Sequence, residues 1–230
     1  MNSRIEAVVF DIGKVLVEWD LRLIYRDLIP DPAERDWFVS HVVTPEWHFQ
    51  HDAGRPLAEM LPERIAQYPE HEALIRRYAS HFNDSIPGPV PGTSELVEAL
   101  HANEVPLFAI TNFGAEFWPA FAPRFPVLEC FGDIVISGVE QLAKPDPAIY
   151  ALAERRFGLP GSAMLFVDGV SSIASMPFGL RTNFESNRNT LVMRKPSMIC
   201  SIPLPHAVMS AFSLSNIAGT PKMLQICAVE

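Results

Sequence analysis

Five residues of this chain have the types and the placement to do chemistry: Asp11, Thr111, Asn112, Lys144 and Asp168. Asp11 ends the apolar run Ala7-Val8-Val9-Phe10, which then breaks at Gly13. Asp168 ends Met164-Leu165-Phe166-Val167 in the same manner. Continuous β-branched and aromatic residues suit a strand covered on both faces, and open α/β sheets gather their chemistry at the carboxyl ends of such strands. Thr111 and Asn112 close a third apolar run at 105–110, and Lys144-Pro145 stands just ahead of a helical pattern. Taken singly, each has an ordinary alternative: a strand-end Asp, Thr or Asn commonly forms a turn, and a lysine is commonly solvated. Taken together they offer a nucleophile, two neutral hydrogen-bonding groups, a cation and a second carboxylate. A carboxylate can attack phosphorus and split one hard displacement into two easier ones, while a hydroxyl, a lysine and Mg²⁺ neutralise the equatorial oxygens. Asp11 and Asp168 would repel each other at close range, and a shared divalent cation removes that cost.

The elements that must position these residues alternate. Strands are expected at 7–10, 105–110, 134–137 and 164–168, and helices at 93–100, 113–121 and 146–157, with Thr93 or Ser94 as the cap of the first. Strands alternating with helices predict an α/β fold with a doubly wound parallel sheet. Between the first and second strands, helical spacing recurs at 21–28, 32–43, 57–68 and 72–82, an inserted helical cap. It ends at Ile86-Pro87-Gly88-Pro89-Val90-Pro91-Gly92, which cannot continue a helix and reads as a hinge. The division expected is a core of residues 1–19 and 88–186, a cap of 20–87, and a tail of 187–230 to which no structure is assigned. Within the cap, His48 and His51 read as substrate contacts or exposed helix-end residues, and Arg55 as a possible cap cation. Trp47, Phe49, Phe113, Phe117 and Trp118 read as core or as the lining of a pocket between cap and core.

At 230 residues, 48% apolar and 20% charged, the chain can bury a sizeable core. A net charge of −9 argues against nucleic acid as a partner and requires that any anionic substrate be held by locally placed cations. Cys130, Cys200 and Cys227 have no paired spacing, so neither a disulfide framework nor a zinc site is indicated, and a reducing cytoplasm is expected. The apolar run before Asp11 is too short for a secretory signal, and Pro203, Pro205 and His206 interrupt the most apolar stretch of the tail, so no membrane association is expected.

Val8-Val9-Phe10-Asp11, Ile110-Thr111-Asn112, Lys144-Pro145-Asp146-Pro147-Ala148-Ile149-Tyr150 and Leu165-Phe166-Val167-Asp168 together resemble the four ordered motifs of the haloacid dehalogenase (HAD) superfamily. The resemblance covers about residues 5–168, and a helical insert after the first motif is what capped members carry. Phe10-Asp11-Ile12-Gly13-Lys14-Val15-Leu16 and the segment Trp47–Arg55 resemble the branch typified by sugar-phosphate phosphatases. The resemblance implies Asp11 as nucleophile, Thr111 and Lys144 as phosphate or leaving-group binders, and Asn112 as a supporting donor that touches substrate. It implies Asp11, Asp168 and the Gly13 carbonyl as ligands of Mg²⁺. The expected activity is a Mg²⁺-dependent phosphatase of small phosphorylated metabolites.

Two departures bear on that expectation. Most phosphatases of the superfamily carry a second Asp two residues after the nucleophile, as general acid and base, where this chain has Gly13. Relatives continue the fourth motif with a further Asp, where this chain reads Asp168-Gly169-Val170-Ser171-Ser172-Ile173. A metal-independent 2-haloacid dehalogenase, with which Lys144 and Tyr150 agree, is one alternative; that branch usually carries Tyr where Gly13 stands and Thr where Val15 stands. A degenerate binding protein is the other. Gly179-Leu180-Arg181-Thr182 resembles the turn into a last strand. Composition shifts after residue 168: residues 1–168 hold 25 acids and 13 bases, whereas 169–230 hold two acids and five bases.

Overall fold

The computed structural model describes residues 5–168 together with the strand segments 183–187, 190–195, 198–203 and 225–228. The chain begins with β1 (Ala7–Phe10) and then builds four helices: α1 (Pro32–His41), α2 (Pro45–Asp52), α3 (Leu57–Gln67) and α4 (Glu72–His81). It returns through α5 (Thr93–Ala102), β2 (Leu107–Thr111), α6 (Trp118–Phe121), β3 (Asp133–Ile136), α7 (Ser137–Glu140), α8 (Pro147–Phe157) and β4 (Met164–Asp168). The strands β5 (Asn183–Asn187), β6 (Thr190–Lys195) and β7 (Met198–Pro203) form an antiparallel sheet, and β8 (Gln225–Ala228) follows. The expected α/β architecture is present: β3, β2, β1 and β4 lie side by side and parallel, with Val8 opposite Leu107 on one side and Leu165 on the other. β8 adds an antiparallel edge to β4, an element not expected from the sequence.

All four residues of β1 are buried because both faces of the sheet are covered. Val8 and Phe10 pack on the face shared with the inserted helices and α5, while Ala7 and Val9 face Ile149, Ala153 and Phe157 of α8. α8 is delimited by its own sequence: the Asp146 carboxylate accepts the Ala148 amide at 2.9 Å, Pro147 opens the helix, and Gly158 at φ 70° ends it. Among the described residues no helix is long and apolar enough to cross a membrane.

Several local expectations are corrected. The pattern at 21–28 yields only a 3₁₀ turn, Leu21–Tyr25, started by the Asp20 carboxylate, which takes both the amide and the guanidinium of Arg22. α5 is not capped by Thr93 or Ser94: Gly92, at φ 84°, precedes it, and Thr93 Oγ1 donates instead to the Val90 carbonyl at 2.7 Å. The stretch 113–121 is helical only from Trp118, because Phe113 is tied to the end of β3: its amide donates to Ser137 Oγ and its carbonyl accepts from Gly138. His48 and His51 are buried rather than exposed. His48 stacks against Trp19 and Phe82, with Nδ1 2.7 Å from the Tyr78 hydroxyl and Nε2 3.1 Å from Asp52. Trp47, Phe113 and Phe117 are core, Trp118 is partly buried against it, and Phe49 is largely exposed. The Arg55 guanidinium is taken up by Gln50 and Glu63.

Candidate active site

β1 sets Asp11 directly at its carboxyl end, where the Asp11 amide donates to the Val167 carbonyl of β4 at 2.8 Å. The chain then turns sharply: the Ile12 carbonyl accepts the amides of Val15, Leu16 and Val17, and Lys14 takes a left-handed backbone at φ 61°. One oxygen of the Asp11 carboxylate accepts the Ile12 amide at 2.7 Å. Gly13 lies inside this turn, and a Cβ built on it would meet no heavy atom within 4 Å.

The strand ends converge as their placement predicts. Lys144 Nζ lies 2.9 Å from Asp11 Oδ1 and 3.7 Å from Asp168 Oδ2, so one ammonium serves two carboxylates. The three side chains differ in access: Asp11 is 14% exposed, Lys144 5% and Asp168 0%. Asp11 is the most open of the three to a molecule arriving from solvent. Thr111, at the end of β2, is fully buried, and among the described residues its hydroxyl has no hydrogen-bond partner. Asn112 has both ends of its amide on the Lys144 backbone: Nδ2 donates to the Lys144 carbonyl at 3.0 Å, and Oδ1 accepts the Lys144 amide at 2.8 Å. Asn112 thereby holds the loop that carries the lysine, a positioning task different from direct substrate contact.

Burial pushes the Asp11 carboxyl up to about 6; Lys144 opposes that rise and Asp168 adds to it. The direction follows from burial, since the pull of Lys144 on the charged carboxylate exceeds the push of Asp168 and yet the carboxyl rises. Hard oxygen donors with surplus negative charge suit Mg²⁺, which takes one or two carboxylates and keeps much of its water. Asp11, Asp168 and the Gly13 carbonyl are the donors available to it. Among the described residues no group of three or more His, Cys, Asp or Glu is assembled for a metal, so an all-side-chain cage of the zinc or calcium type is absent there. Gly169 and the segment 179–182 lie outside the described residues.

Ser137 was not singled out in the sequence, although it directly follows the strand β3. Its hydroxyl accepts the Phe113 amide at 3.0 Å and donates to the Asp52 carbonyl at 2.5 Å, joining the loop after β2 to the end of α2.

The chain from 5 to 169 matches the family model of haloacid dehalogenase-like hydrolases. No curated protein matches the sequence. Among solved structures it is similar to a HAD family enzyme from Bacteroides thetaiotaomicron, at 17% identity and a TM-score of 0.57 over 73% of this chain and 86% of that one. The wild-type form of that enzyme has also been crystallised with magnesium and inorganic phosphate. A HAD-like hydrolase from Porphyromonas gingivalis gives 18% identity and a TM-score of 0.57 over 73% and 83%. A dehalogenase gives 18% and 0.50 over 70% and 75%. At these identities the structures speak for the fold, and the family model extends over more than two thirds of the sequence. The chain belongs to the haloacid dehalogenase-like hydrolases.

Proposed function

We propose that this hydrolase is a Mg²⁺-dependent phosphatase of small phosphorylated metabolites, acting through an aspartyl phosphate on Asp11, with residues 20–87 as a cap over a core of 1–19 and 88–186. The observation that carries this reading is the convergence at the strand ends, where the Lys144 ammonium stands 2.9 Å from Asp11 and 3.7 Å from Asp168. A phosphoryl group arriving there meets two carboxylates and the Lys144 ammonium. A divalent cation would be held by Asp11, Asp168 and the Gly13 carbonyl, where it would screen the carboxylates from each other and neutralise phosphoryl oxygens.

The remaining work falls to the chain's own groups. Asp11 attacks phosphorus; its Oδ–P bond forms as the bond from phosphorus to the ester oxygen breaks. Lys144 balances charge on Asp11 and on the transferred group, and the unpartnered Thr111 hydroxyl donates to a phosphoryl oxygen. Asn112 keeps Lys144 in register through its two backbone hydrogen bonds. The departing alkoxide takes its proton from water, because Gly13 has none to give. Water then attacks the aspartyl phosphate, releasing inorganic phosphate and restoring the Asp11 carboxylate. Missing general acid and base catalysis slows such steps by about 10²–10⁴-fold, so the expected enzyme is slow rather than inert.

A panel of sugar phosphates, assayed for phosphate release with Mg²⁺ and again after EDTA, tests this reading. Release abolished by EDTA supports it. Halide release from 2-chloropropionate without divalent ions would point to a metal-independent dehalogenase instead. Calorimetric binding of beryllofluoride with Mg²⁺, unaccompanied by turnover of any ester, would point to a degenerate binding protein.

A further inference from the structure

Phosphoryl transfer to Asp11 makes a demand on the group that departs. Its oxygen lies in line with the attacking oxygen, on the far side of phosphorus, and must leave either as an anion or with a proton supplied there. Among the described residues around Asp11, no side chain is placed to give that proton. The charged neighbours that act most on Asp11 are Lys144 and Asp168. Both stand on the attacking side: Lys144 Nζ is 2.9 Å from Asp11 Oδ1, and Asp168, wholly buried, is 3.7 Å from the same ammonium. The turn after Asp11 offers no acid either. Ile12, Val15, Leu16 and Val17 are apolar and buried, and a Cβ on Gly13 would meet open space. Lys14 is exposed, with its ammonium 5.2 Å from the centroid of the Trp19 ring.

The buried histidines of the inserted helices have other attachments. His48 is held between Tyr78 and Asp52, at 2.7 and 3.1 Å. His51 Nδ1 lies 2.9 Å from the Arg55 carbonyl, which can only accept, so the neutral ring carries its proton on Nδ1. Nε2 is then a bare lone pair, buried against Gly114, where a Cβ would stand 2.4 Å from it. A nitrogen so enclosed neither gives a proton nor meets a substrate.

The consequence falls on the choice of substrate. An alkyl ester expels an alkoxide, which like hydroxide is the base of an acid with a pKa of about 16, and its departure calls for a proton. A carboxylate, whose acid has a pKa of about 4, departs unaided. The bond that Asp11 forms to phosphorus is itself a carboxyl phosphate. Transfer from another carboxyl phosphate therefore exchanges like for like, whereas transfer from an alkyl ester must build an anhydride from an ester.

We propose that the substrates of this site are acyl phosphates, the mixed anhydrides of a carboxylic acid and phosphoric acid. This assignment rests on the phosphatase reading and narrows it. Asp11 Oδ attacks phosphorus, the bond from phosphorus to the acyl oxygen breaks, and its electron pair leaves with the carboxylate, so no proton moves. Water then attacks the aspartyl phosphate, loses a proton to solvent and releases inorganic phosphate. With no base among the described residues to take that proton, this second step is the slow one, and the aspartyl phosphate accumulates.

Phosphate release by the full chain at saturating Mg²⁺ tests the assignment, with acetyl phosphate, ADP, glucose 6-phosphate and aryl phosphates of graded leaving-group pKa as substrates. Asp11→Asn serves as the blank for spontaneous hydrolysis. Acetyl phosphate is expected to exceed glucose 6-phosphate in kcat/KM by at least about 10²–10⁴-fold, the range that a general acid would have supplied. Along the aryl series kcat/KM should fall steadily as the leaving-group pKa rises. The members of low pKa should share one kcat, set by breakdown of the aspartyl phosphate. Protein quenched in acid during turnover of acetyl phosphate should carry phosphate on the peptide containing Asp11, and Gly13→Asp should level the aryl series. Glucose 6-phosphate turned over as readily as acetyl phosphate, an aryl series indifferent to leaving-group pKa, or a preference for ADP would overturn the acyl phosphate assignment while the phosphatase reading stands. No phosphate released from any of these substrates, with Asp11 unphosphorylated, would overturn both.

Discussion

At position 13 the backbone does not ask for glycine. Gly13 is not among the residues with positive φ, and a side chain there would enter open space. What is missing beside Asp11 is therefore a functional group, and not room for one. Gly13→Asp should fold as the wild type does and, under the phosphatase reading, raise kcat by on the order of 10²-fold or more; an unchanged rate measured under saturating Mg²⁺ would show that proton transfer does not limit turnover. Asp11 makes a second prediction at this scale. Its carboxyl sits at about 6 in the folded chain against an ordinary 3.8, so the folded state holds that proton more tightly than the unfolded one. Its contribution to stability is present below about pH 4 and is lost as the pH rises through about 6. Denaturant titrations of metal-free protein between these limits should show stability falling by roughly 2–3 kcal/mol. Asp11→Asn should flatten that slope, and excess Mg²⁺ should suppress it in the wild type. Asp11, Lys144 and Asp168 were legible in the sequence through their common placement, two acids each ending an apolar run and a lysine just ahead of a helical pattern, although each alone has an ordinary alternative. The task of Asn112 was not legible, since its partner is the backbone of a residue 32 positions away.

Among the elements, the parallel strands were readable from sequence because each is an uninterrupted apolar run bounded by polar residues; β4 falls where its run does. α8 was readable for a different reason, since Asp146, Pro147 and Gly158 mark both ends in local chemistry. The stretch 113–117 was misread as helix, and the cause is tertiary. Phe113 is claimed by Ser137 and Gly138 from one side, and Gly114 by the buried His51 ring from the other. Helical spacing of Phe113, Phe117 and Phe121 records their shared burial, with Phe117 stacked on Phe82 at 4.0 Å, and not a continuous helix. His48 and His51 were misplaced on the surface by their polarity, although aromatic partners and buried hydrogen bonds absorb both rings. Gly114→Ala should therefore cost stability by about 1–3 kcal/mol, the usual range for overpacking. His51→Ala should recover part of that loss when combined with it, a coupling read from a double-mutant cycle by denaturant unfolding. Strict additivity of the two substitutions would mean that α2 does not press on the loop after β2.

Across the whole molecule, the charge carried by residues 1–168 is strongly acidic, 25 acids against 13 bases, yet the chemistry proposed needs an anion to bind. The fold sets the Lys144 ammonium beside the two carboxylates at the ends of β1 and β4, and under the phosphatase reading a bound divalent cation would supply the further positive charge an anion needs. That organisation was visible in the sequence because the order of apolar runs, helical spacing and a proline-rich return is preserved along the chain. Beyond residue 168 the sequence offered no comparable pattern, and the short strands β5 to β8 are set by pairing partners rather than by distinctive runs of their own. The central claim is that Asp11 is a nucleophile toward phosphorus in a site completed by Mg²⁺. Release of p-nitrophenol from p-nitrophenyl phosphate tests it most directly, measured side by side for wild type and Asp11→Asn at saturating Mg²⁺. The account predicts slow but steady turnover by the wild type, abolished by EDTA, and none above background for Asp11→Asn. Equal rates for the two proteins would contradict it.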